Sequence, residues 1–378
     1  MHVRLARIVF CLAAITACDR RHEPAPRHGV AAAGSAAPST PTAAVARAPY
    51  CRGASAFTAF GPIGTQTGST ERPAHTFSIV ARDPVTGDLG VAVQSHWFSV
   101  GSMVTWAEPG VGAIATQSFV EPAYGPKGLA LMHDGMPAPD AMAKLVAEDP
   151  QSAVRQLGFV DARGRAASHT GSKCIAFASS HVGDGYATQS NLMGNDKVTS
   201  AMAAAYEAAQ GKGDLADRLL AALDAGQAVG GDIRGCQSAA ILVVSGTRSA
   251  TPWKEKKLDL RVEDSPAPID ELHRLVNLAR AYDRMNQGDA AIERGDLPAA
   301  VRHYSSAAAS VPDNAEMVYW QAVTLADHGQ LDQARPLFER AFAADPAWRE
   351  LTRRSPAAGL FHDASLVEQI LKPSGTAH

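Results

Sequence analysis

The chain has 378 residues, 46% of them hydrophobic, and a formal net charge of -3 at pH 7. That length supports a large core plus a second unit. The near-neutral charge excludes the basic field that holds nucleic acid.

Residues 1–18 read as a targeting segment. Arg4 and Arg7 form a charged start, and Ile8 to Ala14 is an apolar run too short to span a bilayer. It ends in Ile15-Thr16-Ala17-Cys18, which resembles a bacterial lipobox. The resemblance implies lipidation of Cys18 and an exported, periplasmic protein anchored to the membrane by lipid. An ordinary secretory signal with a chance cysteine is the other reading. Residues 19–74 are rich in Ala, Pro, Ser and Thr, with few large apolar side chains to offset ordering entropy. They read as a disordered tether. No later run is apolar enough to span.

A folded domain is expected over 75–265. "TFSIVARD" and "LGVAVQSHWF" read as strands joined by the turn-rich Pro84 to Asp88. Gly110 to Phe119 reads as a third, buried strand. "PKGLALMHDGM" and "APDAMAKLVAED" read as helices, with Asp140 placed early in the second to suit its dipole. "VRQLGFVDARGRAASHTG" reads as a hairpin turning at Asp161 to Gly164, and "KCIAFASSHVGDGYATQSNLM" as further strand. "DKVTSAMAAAYEAAQ" and "DLADRLLAALDAGQ" read as a second helix pair, and "CQSAAILVVS" and "KKLDLRVED" as closing strands. Strands, helices, strands, helices, strands in that order suit antiparallel sheets with helix pairs packed outside.

After Cys18 three cysteines follow: Cys51, Cys174 and Cys236. They allow one bridge at most, and the pairing, Cys174 with Cys236 among the possibilities, stays open. Cys236 also stands as a nucleophile candidate. No Cys/His spacing suggests zinc, and no P-loop, dinucleotide fingerprint or esterase elbow appears. Neither metal nor cofactor is expected. His169 and His181 lie in loop-like, solvent-exposed stretches.

From Pro268 the pattern becomes purely helical. Gly288, Gly295, Leu297, Ala300, Tyr304, Ala307 and Pro312 match Ala322, Gly329, Leu331, Ala334, Phe338, Ala341 and Pro346, each 34 residues on. Small residues let two helices cross closely, the aromatic fills the gap, and proline ends the unit. Ala281 to Trp348 therefore resembles two tetratricopeptide repeats. A helix before them (Ile269 to Met285) and "DASLVEQIL" after them are expected as caps, making 268–372 a helical module for a protein partner.

Five stretches, "TFSIVARDPVTGDLGVAVQSHWFSVG", "PGVGAIATQSFVEPAYGPKGLAL", "VDARGRAASHTGSKC", "YATQSNLM" and "AGQAVGGDIRGCQSAAILVV", resemble in order the bacterial family called domain of unknown function 1028. The resemblance implies an N-terminal nucleophile hydrolase-like fold, α+β, a four-layer αββα sandwich. In such enzymes a strand-opening Thr, Ser or Cys attacks, with its own α-amino group as base. An amino group titrating near about 7.7–8.0 suits that role, whereas a peptide nitrogen does not. Thr76 is the implied nucleophile, provided the His75–Thr76 bond is cut. The other reading makes it an ordinary strand residue. Ser78 shares its face and is a lesser candidate.

Other polar residues join it as candidates. His96 and Asp232 are assigned to catalysis beside Thr76, with His96 sharing a face with Gln94. Gln94, Gln117, Gln189, Asn191, Arg234 and Gln237 are assigned to substrate. An amide such as Gln117 orients a substrate or an oxyanion, and Arg234 pairs with Asp232 or binds a substrate carboxylate. A Gly-rich turn with a surface ion pair is the plainer reading of "GGDIRGCQSA". The resulting expectation is amide hydrolysis of a small-molecule or peptide substrate, with membrane contact through lipid only. The alternative is a non-catalytic binding or scaffold lipoprotein in which Thr76 stays within the chain.

Overall fold

A computed structural model describes residues 76–361 and 363–372. Cys18, the tether, Cys51 and His75 lie outside the described residues. β1 (Thr76–Arg82) and β2 (Leu89–Ser95) form the expected hairpin, with Thr76 opposite Ser95. Asp83 holds its turn by accepting the backbone N–H groups of Val85 (2.7 Å) and Thr86 (3.1 Å). Two elements that the sequence reading passed over follow: a single turn of helix, α1 (Gly101–Val104), and a short strand, β3 (Thr105–Glu108). Four-residue elements carry too little periodicity to be read.

β4 (Gly112–Ser118), α2 (Tyr124–His133), α3 (Ala138–Glu148), β5 (Arg155–Asp161) and β6 (Ala166–Thr170) come next, as anticipated. The "further strand" is a hairpin, β7 (Ser179–Gly183) with β8 (Tyr186–Ser190). Then come α4 (Val198–Ala208), α5 (Leu215–Ala228), β9 (Ser238–Val244) and β10 (Lys256–Val262). The strands form a six-stranded sheet, β10-β9-β2-β1-β8-β7, and a four-stranded sheet, β3-β4-β5-β6. Every ladder is antiparallel.

The period-2 pleat sorts the side chains. Phe77, Ile79 and Ala81 of β1 pack with Met202 and Tyr206 of α4 and Leu219 and Leu223 of α5. Val80, between them, packs with Ala113, Ala115 and Val160 of the other sheet. On that sheet's outer face Ile114 and Phe159 meet Leu129 and Met132 of α2 and Met142 and Leu145 of α3. Both faces of the inner strands are thus covered. That is why "LGVAVQS" and "SAAILVV" are buried at every position and show little alternation.

The helical region corrects one expectation. The helix foreseen over Ile269 to Met285 does not stop there. α6 (Pro268–Glu293) runs on unbroken for 26 residues, about 39 Å. Its first half, Ile269, Leu272 and Val276, joins the core under the six-stranded sheet. Its second half, Ala281, Met285 and Ala291, packs on α7 (Leu297–Ser310). α8 (Ala315–Asp327) and α9 (Leu331–Ala344) form the next pair, followed by α10 (Ala347–Arg354), which the sequence reading missed, and α11 (Ala364–Leu371). Phe361, Val367 and Ile370 close the core around Tyr319 and Phe338.

Two smaller expectations also change. Cys174 and Cys236 are not bridged to each other. The Cys174 Sγ donates to the Arg155 carbonyl at 3.3 Å, and the Cys236 Sγ to Gln227 Oε1 at 3.4 Å. His169 and His181 lie on strands, not loops. His169 is half-buried with Nε2 2.9 Å from the Ser152 carbonyl, and only His181 is exposed.

Candidate functional site

Thr76 is the first residue of β1 and is fully buried. The pleat that turns Val80 toward the second sheet turns Thr76 and Ser78 the same way. The Thr76 Oγ1 lies 3.4 Å from Ser95 Oγ on β2. Its carbonyl accepts the backbone N–H of Asn191 (3.1 Å) and stands 3.4 Å from Gln117 Nε2.

A network of neutral polar groups fills this end of the inter-sheet space. Ser78 Oγ lies 2.7 Å from Gln117 Oε1 and 2.8 Å from Gln189 Oε1. One hydroxyl proton serves only one of these oxygens. Gln189 Nε2 is buried without a partner. Reversing that amide would let its NH2 donate to Ser78 and leave the hydroxyl proton for Gln117. Gln156 on β5 is the hub. Its Oε1 accepts from Gln117 Nε2 (2.7 Å) and Asn191 Nδ2 (2.8 Å), and its Nε2 donates to Thr170 Oγ1 and the Ser190 carbonyl, both at 2.9 Å. Gly158 makes room for Gln189, because a side chain there would run into its amide group. Two strained residues flank the network. Ser118 (φ 70°) follows Gln117, and Leu192 (φ 55°) follows Asn191.

So three of the candidate substrate residues, Gln117, Gln189 and Asn191, meet next to Thr76. Gln156 and Ser95 were missed. The signal for Gln156 is a lone amide inside the apolar run "VRQLGFV".

The other candidates do not join this network. Gln94 lies two residues after Ala92, which faces α4 and α5, so it points away from Thr76. Both its amide atoms are buried without partners. His96 follows the end of β2, so the face it was expected to share with Gln94 does not extend to it. Asp232 is 2% exposed and accepts the backbone N–H of His96 at 3.1 Å; the contact is main chain, not imidazole. The expected pair with Arg234 forms, with Nε to Oδ1 at 3.0 Å and Nη2 to Oδ2 at 2.7 Å. The fork foreseen for a substrate carboxylate is thereby taken up by Asp232. Gln237 is tied to the exit of β10: its Nε2 meets Asp264 Oδ1 at 3.1 Å, and its carbonyl accepts from Ser265 N at 2.7 Å. Burial pushes the Cys174 thiol up, despite hydrogen bonds that oppose the shift, which disfavours a thiolate there. Among the described residues, no group of three or more His, Cys, Asp or Glu is placed to hold a metal.

Residues 76–272, more than half of the chain, match the model of a family of unknown function, DUF1028. The chain belongs to that family. Residues 285–359 match a tetratricopeptide repeat model. A crystal structure of a protein from Silicibacter pomeroyi, described under the same DUF1028 model, is 31% identical; the alignment covers 55% of this chain and 89% of that one, with a TM-score of 0.49. No curated protein matches the chain. The DUF1028 domain thus holds the polar network, and its match ends within α6, the helix it shares with the repeats.

The arrangement suits recognition of a neutral carbonyl or amide. It offers hydroxyl and carboxamide groups in a water-poor space, where each hydrogen bond is stronger than in water.

Proposed function

We propose that this DUF1028 protein is an amidohydrolase of the N-terminal nucleophile type, exported and held to the membrane by a lipid at Cys18. In this reading its helix–sheet–sheet–helix layers are the αββα sandwich of that class. Cutting before Thr76 frees its α-amino group. That group takes the hydroxyl proton as Oγ1 attacks an amide carbonyl, then passes it to the leaving amine, and water releases the acyl group. Carboxamides of the network hold the developing oxyanion. The supporting observation is Thr76 itself: it opens an inner strand of the larger sheet with its hydroxyl directed into a built polar layer. The repeats dock a protein partner, in keeping with their stacked helix pairs.

Intact mass and N-terminal sequencing of the mature protein test this. The expected result is a chain starting at Thr76 that is absent in Thr76→Ala. A single species starting at Cys18 would sink the mechanism.

One observation favours the second reading, a non-catalytic binding lipoprotein. Thr76, Ser78, Gln117, Gln156, Gln189 and Asn191 are each 1% exposed or less. A substrate reaches Thr76 only if part of this packing gives way.

A further inference from the structure

Eight large apolar side chains are exposed among the described residues, and four of them lie about the end of the sheet where Thr76 sits. Ile175 (39%), Phe177 (49%), Ile233 (64%) and Phe98 (63%) are the four. Backbone hydrogen bonds fix their placement. Asn191 N–H donates to the Thr76 carbonyl, and the next residue, Leu192, donates to the Ile175 carbonyl at 2.9 Å. Met193 N–H donates to the Phe177 carbonyl at 3.3 Å, and Ile233 N–H to the Leu192 carbonyl at 3.2 Å. On the other side Ser95, opposite Thr76, leads through His96 to Phe98, and His96 N–H is held by Asp232, the neighbour of Ile233.

Scattered single apolar residues on a surface need no explanation, but several around one site do. The Thr76 nitrogen, the atom that cleavage would free, lies at this same strand end. Asp232, which holds His96 one residue past Ser95, is already paired with Arg234 through two hydrogen bonds. The rim therefore offers apolar surface and a neutralised ion pair.

We infer that this rim is the acyl-side subsite of the Thr76 centre, and that the substrates are amides whose acyl portion is a bulky apolar group, aryl or branched alkyl. This rests on the amidohydrolase reading above. The aromatic edges of Phe98 and Phe177 and the branched side chains of Ile175 and Ile233 bury the acyl group. The polar layer beneath takes its carbonyl. A charged acyl group such as succinyl would lose hydration on entering this apolar rim.

Two measurements separate this inference from the reading beneath it. The first is calorimetric binding of phenylacetate and acetate, the free acids such a cleavage would release, to the mature full-length protein. Phenylacetate is expected to bind at least tenfold more tightly, the lower end of what an added apolar group gains in such a pocket. Ile233→Ser and Phe177→Ser should each erase about tenfold of that advantage. Ile233 is 64% exposed and Phe177 49%, and an unchanged melting temperature would show the fold intact. The second is hydrolysis of phenylacetyl, acetyl and succinyl anilides, with Thr76→Ala as control. The phenylacetyl substrate is expected to lead in kcat/KM by tenfold or more, and the lead should shrink in the two serine variants. If phenylacetate binds no better than acetate, or if the serine variants keep the preference, the apolar subsite is wrong whatever Thr76 does. If phenylacetate binds preferentially and the serine variants lose it, but Thr76→Ala hydrolyses anilides as well as the parent, the subsite stands and the nucleophile assignment falls.

Discussion

Asn191 donates its backbone N–H to the carbonyl of Thr76 at 3.1 Å, tying the residue just past β8 to the first residue of β1. The same asparagine extends its side chain to Gln156 across the inter-sheet space. One residue thus couples the strand that opens the domain to the hub of its polar layer.

Thr76→Ala separates chemistry from folding. The substitution removes one hydroxyl, which lies 3.4 Å from Ser95 Oγ. Stability should fall by about 1 kcal/mol, the usual net worth of a side-chain hydrogen bond. On the proposed mechanism, processing before residue 76 should disappear altogether. Denaturant titration and intact mass check the two outcomes together.

Gln156→Leu should be far more damaging. It removes the acceptor shared by the amides of Gln117 and Asn191 and the donor to the carbonyl of Ser190. At about 1–3 kcal/mol for a buried polar group that loses its partner, a loss of at least about 2 kcal/mol is expected, measured by urea unfolding. Gln156→Glu should cost a comparable amount by bringing an unpaired charge into the layer.

Asp83 and Arg218 form a buried ion pair that ties the β1–β2 turn to α5. Arg218 also stands 5.9 Å from the centre of the Tyr206 ring. Asp83→Ala should cost about 3–5 kcal/mol by stranding the guanidinium. The double variant Asp83→Ala/Arg218→Met should recover part of that loss. A double variant no more stable than the single would contradict the pairing argument.

Acid should loosen the domain before base does. Burial alone would raise the Asp83 carboxyl, but the N–H groups of Thr86 and Val85 and the charge of Arg218 outweigh it and hold it below its ordinary 3.8. Burial likewise opposes, and is outweighed by, the Gln151 N–H and the Arg155 guanidinium at Asp149. At Asp217 the opposing groups are Arg280 and the Asp214 N–H. A carboxyl depressed in the folded state stabilises fully above its unfolded value and loses that contribution as pH falls through the folded value. The melting temperature should therefore be flat from neutral pH down to about 5 and drop below about 4. His273 runs the other way. Asp224 raises its pKa against the effect of burial, so its small contribution fades as pH rises through the folded value. Both partners are nearly half exposed, so that effect is slight.

Gly288→Val should disrupt the first repeat. A side chain at Gly288 would stand 2.5 Å from Tyr304 Cε1, where helices α6 and α7 cross. Overpacking of this kind costs about 1–3 kcal/mol. Because α6 also enters the core of the DUF1028 domain, the melt should broaden or shift as a whole instead of splitting into two transitions. Calorimetry reads the difference.

The repeats were legible in the sequence because their constraint is local. A helix crossing needs small residues and one aromatic at a fixed interval, so the interval is printed in the chain as Gly288 with Ala322 and Tyr304 with Phe338. The long strands and helix pairs were legible for a similar reason, each carrying its own pattern over seven or more residues. α1 and β3 were too short to do so, and α6 hid its continuity because its two halves bury different faces against different partners.

By itself the sequence determined the longer elements, the repeat and the polar residues available to a site. It did not decide which of those residues meet. Strand pleating sends Gln94 to the helices and Ser78 to the opposing sheet, although β1 and β2 pair directly. Gln117, Gln156, Gln189 and Asn191 converge only because two separate sheets stack face to face. A residue's face follows from its register and its strand's neighbours, and those are long-range choices made by burial.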